Sequence, residues 1–248
     1  MRPGAASGPP AALPSPNIWH WPDVYEVENL AQDVEGAVWA VLEEVAPWAG
    51  RDVVDVGCGA GFHLPRMART ARTVVGVEPH PPLVELARAR TEALERVHVL
   101  AGLGEALPLP DASVDVVHAR TACFFGPGCE PALAQAARVL RPGGVLVVVD
   151  LDATRSPYGQ WMRADLPRYD PVAAECFFTD HGFGLRRVDT VWRFADRAAL
   201  RSVLGIEFSA RVATRAFAAT GGLALDVAYR VHWRRTPDAA DRTDQPFR

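Results

Sequence analysis

The amino-acid sequence predicts a doubly wound α/β domain with a mostly parallel, seven-stranded sheet, an antiparallel edge and helices on both faces. Short, continuously apolar segments alternate with helical segments at the spacing of βαβ units. Continuous apolar strands are typical of parallel sheets that helices cover on both sides. The first of these strands also runs directly into a glycine-rich turn, which is a feature of ligand-binding α/β sheets.

Each element is predicted from its local pattern. Valine and leucine recur at helical spacing from Val34 to Val45, and Pro47 ends that helix. The RPGG segment 141–144 is predicted to be a turn, and Gly205 to interrupt a late helix. The last two strands are expected to pair antiparallel at one sheet edge, where the final strand could extend a sheet between subunits. The predicted strands cover 51–56, 73–79, 97–102, 113–119, 145–151, 185–194 and 223–235, and the other predicted helices cover 62–70, 81–94, 130–140, 171–183 and 196–219.

Composition excludes several classes of protein. The 248-residue chain contains no lysine, so all 26 basic residues are arginine. Pyridoxal-phosphate enzymes and P-loop NTPases, which both need a lysine, are therefore excluded. The net charge of −4 disfavours nucleic-acid binding. No apolar run approaches the roughly 18 residues of a membrane span.

The cysteine pattern indicates the cellular compartment and argues against a metal site. The chain has four cysteines, and none of them forms a C-x-x-C pair. A zinc site is therefore not expected. So few cysteines in a chain of this length do not form a disulfide framework either, which predicts reduced thiols and a cytoplasmic protein.

A glycine loop and a distant carboxylate form the candidate nucleotide site. The loop has the spacing G-x-G-x-G at Gly57, Gly59 and Gly61, with Asp55 two residues before it. A dinucleotide-binding dehydrogenase would have its third glycine one residue later, at Phe62. Glu78 ends the next predicted strand, where a carboxylate can accept hydrogen bonds from two ribose hydroxyls.

Four blocks of this chain resemble the class I S-adenosylmethionine (SAM)-dependent methyltransferases, which have a Rossmann-like fold. The similarity is to the small-molecule branch that includes ubiquinone- and menaquinone-type methyltransferases. The blocks are VVDVGCGAG (53–61), VVGVEP (74–79), GEALPLPDASVDVVHA (104–119) and ARVLRPGGVLVVVD (137–150). The resemblance implies an enzyme that uses SAM as its cofactor and releases S-adenosylhomocysteine (SAH).

The resemblance also implies roles for individual residues. Cofactor contacts are expected from Asp55, Gly57, Cys58, Gly59, Gly61, Glu78, Pro79, Leu103, Gly104, Glu105 and His118. Glu78 would hold the ribose and Pro79 would lie beside the adenine. Relatives often carry an aspartate at position 103 that binds the adenine amino group, whereas this chain has Leu103. The backbone of Leu103 and Gly104, or the side chain of Glu105, would then take that role.

The acceptor site is predicted from residues near the loop and in the N-terminal segment. His20 and His118 are the candidate general bases, because a histidine can remove a proton near neutral pH. Trp19, Tyr25, Arg120 and Phe124 are the candidate contacts to a small-molecule acceptor. The alternatives left open are a non-catalytic SAM-binding partner or regulatory protein, a nicotinamide-dependent oxidoreductase, and an RNA or protein methyltransferase. The sequence predicts no oligomeric state.

The expected domain organisation follows from the same blocks. Residues 1–16 are expected to be a disordered leader and 236–248 a flexible tail. A single SAM-dependent methyltransferase domain would occupy 17–235. Within it, 17–49 would form an N-terminal helical lid, 50–151 the cofactor-binding core, and 152–235 the substrate side and the C-terminal strands.

Overall fold

The computed structural model describes residues 15–122 and 126–238, and its centre is one seven-stranded sheet. The strand order is β3-β2-β1-β4-β5-β7-β6. The first five strands in this order pair in parallel, and β7 runs antiparallel to both β5 and β6. The predicted fold class is therefore confirmed. The strands are β1 (Asp52–Val56), β2 (Thr73–Glu78), β3 (Val97–Ala101), β4 (Val114–Arg120), β5 (Leu140–Leu151), β6 (Gly184–Arg193) and β7 (Ala224–Arg235).

Helices cover both faces because the central strands are apolar on both faces. Neighbouring residues of β1 illustrate this: Val53 belongs to the core on one face, and Val54 to the core on the other. Both side chains are buried. The helices are α1 (Pro16–His20), α2 (Pro22–Ala31), α3 (Ala37–Val45), α4 (Leu64–Ala68), α5 (Pro81–Thr91), α6 (Glu130–Val139), α7 (Ser156–Asp165), α8 (Pro171–Asp180), α9 (Arg197–Glu207) and α10 (Ala210–Ala219).

The order of the strands places a crevice at the carboxyl ends of β1 and β4. The chain runs from β1 outward to β3, then returns to the other side of β1 for β4 and β5. Ligands of open α/β sheets bind at such a reversal of strand order. The glycine loop follows β1 at this point, and α1 and α2 lie over it. Ile18 of α1 packs against Gly59 of the loop, and Glu26 of α2 pairs with Arg90 of α5 at 2.7 Å.

Four local predictions were wrong. The segment 141–144 is not a separate turn but lies inside β5, where the register against β4 shifts between Val114 and Val116. This irregular stretch is held by the tail, since Thr236 donates its N–H to the Gly144 carbonyl at 2.9 Å. Gly205 continues α9, because a single glycine costs a helix only about 1 kcal/mol.

The third correction concerns the exposed strand. The structure places β7 between β5 and β6, so both of its edges are already paired. An edge-to-edge subunit contact through the final strand is therefore excluded, and the strand at that end of the sheet is β6. The long N-terminal helix is also shorter than predicted, because α3 begins at Ala37 and leaves Val34 exposed outside it.

The glycine at the end of the loop is required by its backbone and by its neighbour. Gly61 has a φ of +75°, and a Cβ atom there would lie 3.1 Å from the Ala87 Cα of α5. That contact is with backbone, so a small side-chain rotation cannot relieve it.

We therefore expect Gly61→Ala to lower the free energy of unfolding by about 1–3 kcal/mol, from left-handed backbone strain and the clash with α5. The measurement is urea denaturation. Gly205→Ala is the matched control, because it adds a methyl group in open space within α9 and should stabilise the chain by about 0.5–1 kcal/mol. Equal stability of the Gly61→Ala variant and the parent chain would contradict the close packing of the loop on α5.

Candidate functional site

A cavity of about 450 Å³ opens at the carboxyl ends of β1, β2 and β4. One end is bounded by the glycine loop, Glu78 and the segment 102–105, and the other by α1, α2, α7 and the end of α9. The sequence-predicted residues that line it are Trp19, Tyr25, Gly57, Cys58, Gly59, Glu78, Pro79, Leu103, Gly104, Glu105 and Arg120. Ligand sites of proteins have this size and this position in α/β sheets.

The N–H groups of the glycine loop are already hydrogen-bonded within the protein. Gly57 and Cys58 both donate to the Val77 carbonyl, at 2.8 and 3.1 Å, and Gly61 donates to the Cys58 carbonyl at 2.9 Å. Gly59 donates to Glu78 at 3.0 Å. A loop that grips a diphosphate needs these groups free to bind the anion. The loop therefore fits a ligand without phosphates better than a dinucleotide.

Glu78 is the carboxylate that joins the loop to the second strand. Its side chain is buried and accepts the backbone N–H groups of Gly59 and His80, each at 3.0 Å. Burial raises the pKa of Glu78, and these two N–H donors oppose that shift by stabilising the anion. Each carboxylate oxygen accepts one of these bonds and keeps a further acceptor site. Glu78 can therefore receive two hydroxyl groups from a ligand in the cavity.

The wall beyond Glu78 is built from backbone and from rings. Gly102 donates its N–H to the Glu78 carbonyl at 3.1 Å, which draws the 102–105 segment against β2. Leu103 pairs with Ala106 in an isolated bridge. On the opposite side, Trp19 stacks on His80 with ring centroids 4.3 Å apart. A flat ring system fits a slot with these walls.

Asp55 and His118 form a buried pair behind the loop. They are register partners in β1 and β4, and His118 Nδ1 lies 2.7 Å from Asp55 Oδ1. His118 stacks on Trp39, and its Nε2 has no hydrogen-bond partner within the described residues. Neither Asp55 nor His118 lines the cavity. Their placement is that of a support for the loop.

The remaining predicted residues lie in different surroundings. His20 is exposed and, like Gly61, is not part of the cavity wall. Arg120 is buried and donates to Gln32 at 2.9 Å, while its Nη1 has no partner among the described residues. Phe124 lies outside the described residues.

A polar network lies on the cavity wall, and sequence reasoning missed its acids as well as Gln32 and Tyr229. Its members are Glu28 and Gln32 near the end of α2, Tyr158 of α7, Glu207 of α9 and Tyr229 of β7. Tyr158 donates to Glu207 at 2.6 Å, and Tyr229 donates to Gln32 at 3.1 Å. These residues come from four elements far apart in the chain, and none belongs to a motif. The one available signal was the position of Glu28 in the predicted lid.

Two other side chains of the wall are neutral. Burial raises the pKa of the Cys58 thiol, and the carboxylates of Asp55 and Glu78 raise it further. Burial lowers the pKa of His63 well below its ordinary value, and Arg120 lowers it further. Cys58 is therefore a packing thiol and His63 an uncharged imidazole at neutral pH.

The described part of the chain contains no group of three or more histidine, cysteine, aspartate or glutamate side chains arranged to hold a metal ion. Within the same residues, none of the helices is long and apolar enough to cross a membrane.

The comparisons identify the family. A family model described as a methyltransferase domain matches residues 54–148. The chain is 32% identical over 164 residues to a demethylmenaquinone methyltransferase of Tropheryma whipplei, covering 61% of this chain and 68% of that protein. It is 36% identical over 137 residues to the methyltransferase GfsG of Streptomyces halstedii, covering 53% of this chain but only 49% of that protein. The chain therefore belongs to the SAM-dependent methyltransferases.

Solved structures confirm the fold. The YcgJ protein of Bacillus subtilis superposes with a TM-score of 0.60 at 16% identity, covering 83% of this chain and 100% of that one. The [4+2]-cyclase SpnF superposes with a TM-score of 0.59 at 21% identity, covering 94% of this chain and 100% of that one. The protein is a class I SAM-dependent methyltransferase with SAM as its cofactor. The likeness to a cyclase shows that the fold alone does not specify a reaction.

Asp150 is an acid of the cavity wall whose ionised form is destabilised by burial. It ends the buried part of β5 opposite Arg230 of β7, and it accepts the Leu151 N–H at 3.0 Å. Burial raises the pKa of Asp150 to about 7, although Arg230 opposes the shift. The folded state thus binds a proton more tightly than the unfolded chain does. Its contribution to stability is full below about pH 4 and is lost as the pH rises through about 7.

We expect Asp150→Asn to remove this pH-dependent loss. Between pH 4.5 and pH 8, the free energy of unfolding of the variant should rise relative to the parent by more than about 1 kcal/mol, since one pKa unit corresponds to about 1.4 kcal/mol. Urea denaturation at the two pH values measures it. The other buried acids are present in both proteins and cancel in the difference. A constant difference across this range would contradict the raised pKa.

Proposed function

We propose that this methyltransferase transfers the methyl group of SAM to a small-molecule acceptor by in-line displacement inside the cavity. The observation that carries the proposal is the continuity of the cavity from Glu78 and the glycine loop to the lid helices. Its wall is rich in aromatic rings: Trp19, Tyr25, Phe62, Tyr158, Phe208 and Tyr229. Enclosed, mostly apolar pockets with a few polar groups are typical of small-molecule sites.

The residues present fit the cofactor. The two free acceptor sites of Glu78 match the two ribose hydroxyls, and the backbone at Leu103 and Gly104 lies where an adenine edge would be met. The buried Nη1 of Arg120, which has no partner among the described residues, fits the carboxylate of the amino-acid end. When bound, SAM supplies an electrophilic methyl group on a sulfonium ion.

The contribution of the chain is position and exclusion of water. α1 closes one side of the cavity, where Asn17 donates to Glu207 at 2.6 Å and Trp19 stacks on His80. These contacts hold α1 against α9 and against the end of β2. An acceptor beneath them is oriented toward the loop and kept from bulk water, and orientation of this kind accounts for much of the rate in displacement reactions.

Neither histidine proposed as a base from the sequence reaches the cavity wall. His118 is paired with Asp55 behind the loop, and His20 is exposed on α1. These positions favour a positioning role for His118 and no chemical role for His20. Equal turnover of the parent chain and His20→Gln would remove His20 from the chemistry. A His118→Gln variant that keeps its affinity for SAH but loses turnover would restore the base hypothesis for His118.

The second candidate function is a non-catalytic SAM-binding partner or regulatory protein. It is kept because Leu103 stands where relatives often carry an aspartate, and because neither candidate histidine lines the cavity. Methylation of an acceptor by the purified chain would exclude it, and tight SAM binding without methylation of a broad set of acceptors would favour it.

Several finer expectations stay proposals. A nucleic-acid partner is disfavoured by the net charge of −4 and by the acids on the cavity wall. We retain a cytoplasmic protein with one domain over 17–235 and its lid at 17–49. The expected leader and tail lie mostly outside the described residues, which begin at Ser15 and end at Asp238.

Removing the Glu78 carboxylate should weaken cofactor binding. Glu78→Ala deletes both acceptors for the ribose and the bonds to Gly59 and His80. We therefore expect the Kd for SAM to rise about 30–150-fold, from about 2–3 kcal/mol of lost hydrogen bonding to a charged group. Calorimetry measures the Kd, and circular dichroism verifies folding. Glu85→Ala is the control, since that carboxylate is exposed on α5. An unchanged Kd in a folded Glu78→Ala variant would contradict the assignment.

A further inference from the structure

Two acids face each other at the lid end of the cavity. Glu28 of α2 accepts the Gln32 side-chain amide at 2.8 Å. Glu207 of α9 accepts Asn17 and Tyr158, each at 2.6 Å. Both acids line the cavity, and Glu207 is near enough to act electrostatically on Glu28.

One oxygen of this pair lacks a donor. Glu28 is 3% exposed, and its Oε2 is buried with no N–H or O–H donor among the described residues. Burial raises the pKa of Glu28 well above its ordinary value, and Glu207 raises it further. In the ligand-free protein burial therefore favours the protonated, uncharged form of Glu28.

No cation in the described structure neutralises the pair. The other groups that face it are the neutral hydroxyls of Tyr25, Tyr158 and Tyr229, whose pKa values burial raises. Arg120 opposes the raised pKa of Glu28, but its guanidinium donates to Gln32 and not to Glu28.

The cavity wall as a whole is acidic. The lining acids are Glu28, Glu78, Glu105, Asp150, Asp165 and Glu207, and the lining base that is charged at neutral pH, among the described residues, is Arg120. An anionic acceptor would be repelled from this wall, and a cation would be attracted to it.

We propose that the Glu28–Glu207 pair binds the protonated amine of the methyl acceptor, so that the acceptor class is a small amine carrying an apolar or aromatic group. This inference rests on the proposed function. An ammonium group offers three donors, which can reach Glu28 Oε2 and Glu207 together. As it binds, Glu28 releases its proton to solvent, and the ammonium charge offsets the carboxylate that forms. An alcohol supplies one donor and no charge, so it cannot offset the second carboxylate. The neighbouring rings of Trp19, Tyr25 and Phe208 would receive the apolar part.

The test is calorimetry on the full chain saturated with SAH. The probes are ethylamine, cyclohexylamine, 2-phenylethylamine and tryptamine, each compared with the alcohol of the same skeleton. We expect at least one amine to bind at least tenfold more tightly than its alcohol at pH 7. Its binding enthalpy should also differ between phosphate and Tris buffers, because a proton is released.

Variants locate the effect in the pair. Glu28→Gln and Glu207→Gln should each lower affinity for the amine at least tenfold, leave affinity for the alcohol within twofold and abolish the buffer dependence. Glu92→Gln, which removes an exposed acid from the end of α5, should change none of these. Two separate variants guard against the loss of fold in one of them, and thermal unfolding verifies both.

The outcomes separate this inference from the function itself. Equal binding of amines and alcohols, no binding by any of the four amines, or unaltered amine binding in both glutamine variants would each overturn the inference. Absence of SAH binding by the folded parent chain would instead overturn the proposed function. SAH binding is therefore measured first, in the same titrations.

Discussion

The site depends on one buried carboxylate. Glu78 ends β2 and holds the backbone of Gly59 on the loop after β1 and the backbone of His80 on the turn into α5. These bonds keep the anion stable in a place where burial raises its pKa. The loop can pass close to Ala122 because position 57 is a glycine. Glycine permits the left-handed backbone there, and a Cβ atom at Gly57 would lie 2.7 Å from Ala122. The cofactor site forms only while the Glu78 carboxylate and the glycine loop are held together.

The electrostatics of the cavity extend this principle. Its wall gathers acids from three helices, two strands and one loop, and burial raises the pKa of Glu28, Glu78 and Asp150. Burying such a wall makes the free energy of folding less favourable, since each buried charge loses its hydration. Cationic ligands offset that cost when they bind. We propose that the sulfonium of the cofactor and an ammonium group of the acceptor are the cations that meet this requirement.

The sequence predicted the parts of the molecule that are local. β-branched runs that alternate with helical segments predicted the sheet. The order of strand, glycine loop and acid predicted the site at Gly59 and Glu78. The Glu28–Glu207 pair was not predictable, because the two residues lie in separate helices that meet only in the folded chain. Local rules failed at Gly205 and at 141–144, where packing and pairing with the tail outweighed the usual effect of glycine. His118 was assigned to the ligand edge from its strand position, but its ring turns to Asp55 behind the loop.

The central claim is that the cavity beside Glu78 binds an adenosyl ligand and not a dinucleotide. Calorimetric titration of the purified chain with SAH and with NAD tests it most directly, with Gly59→Arg as the variant that fills the cradle. We predict micromolar binding of SAH, no detectable binding of NAD, and loss of SAH binding in the variant. A folded chain that binds NAD, or that does not bind SAH, would contradict the account.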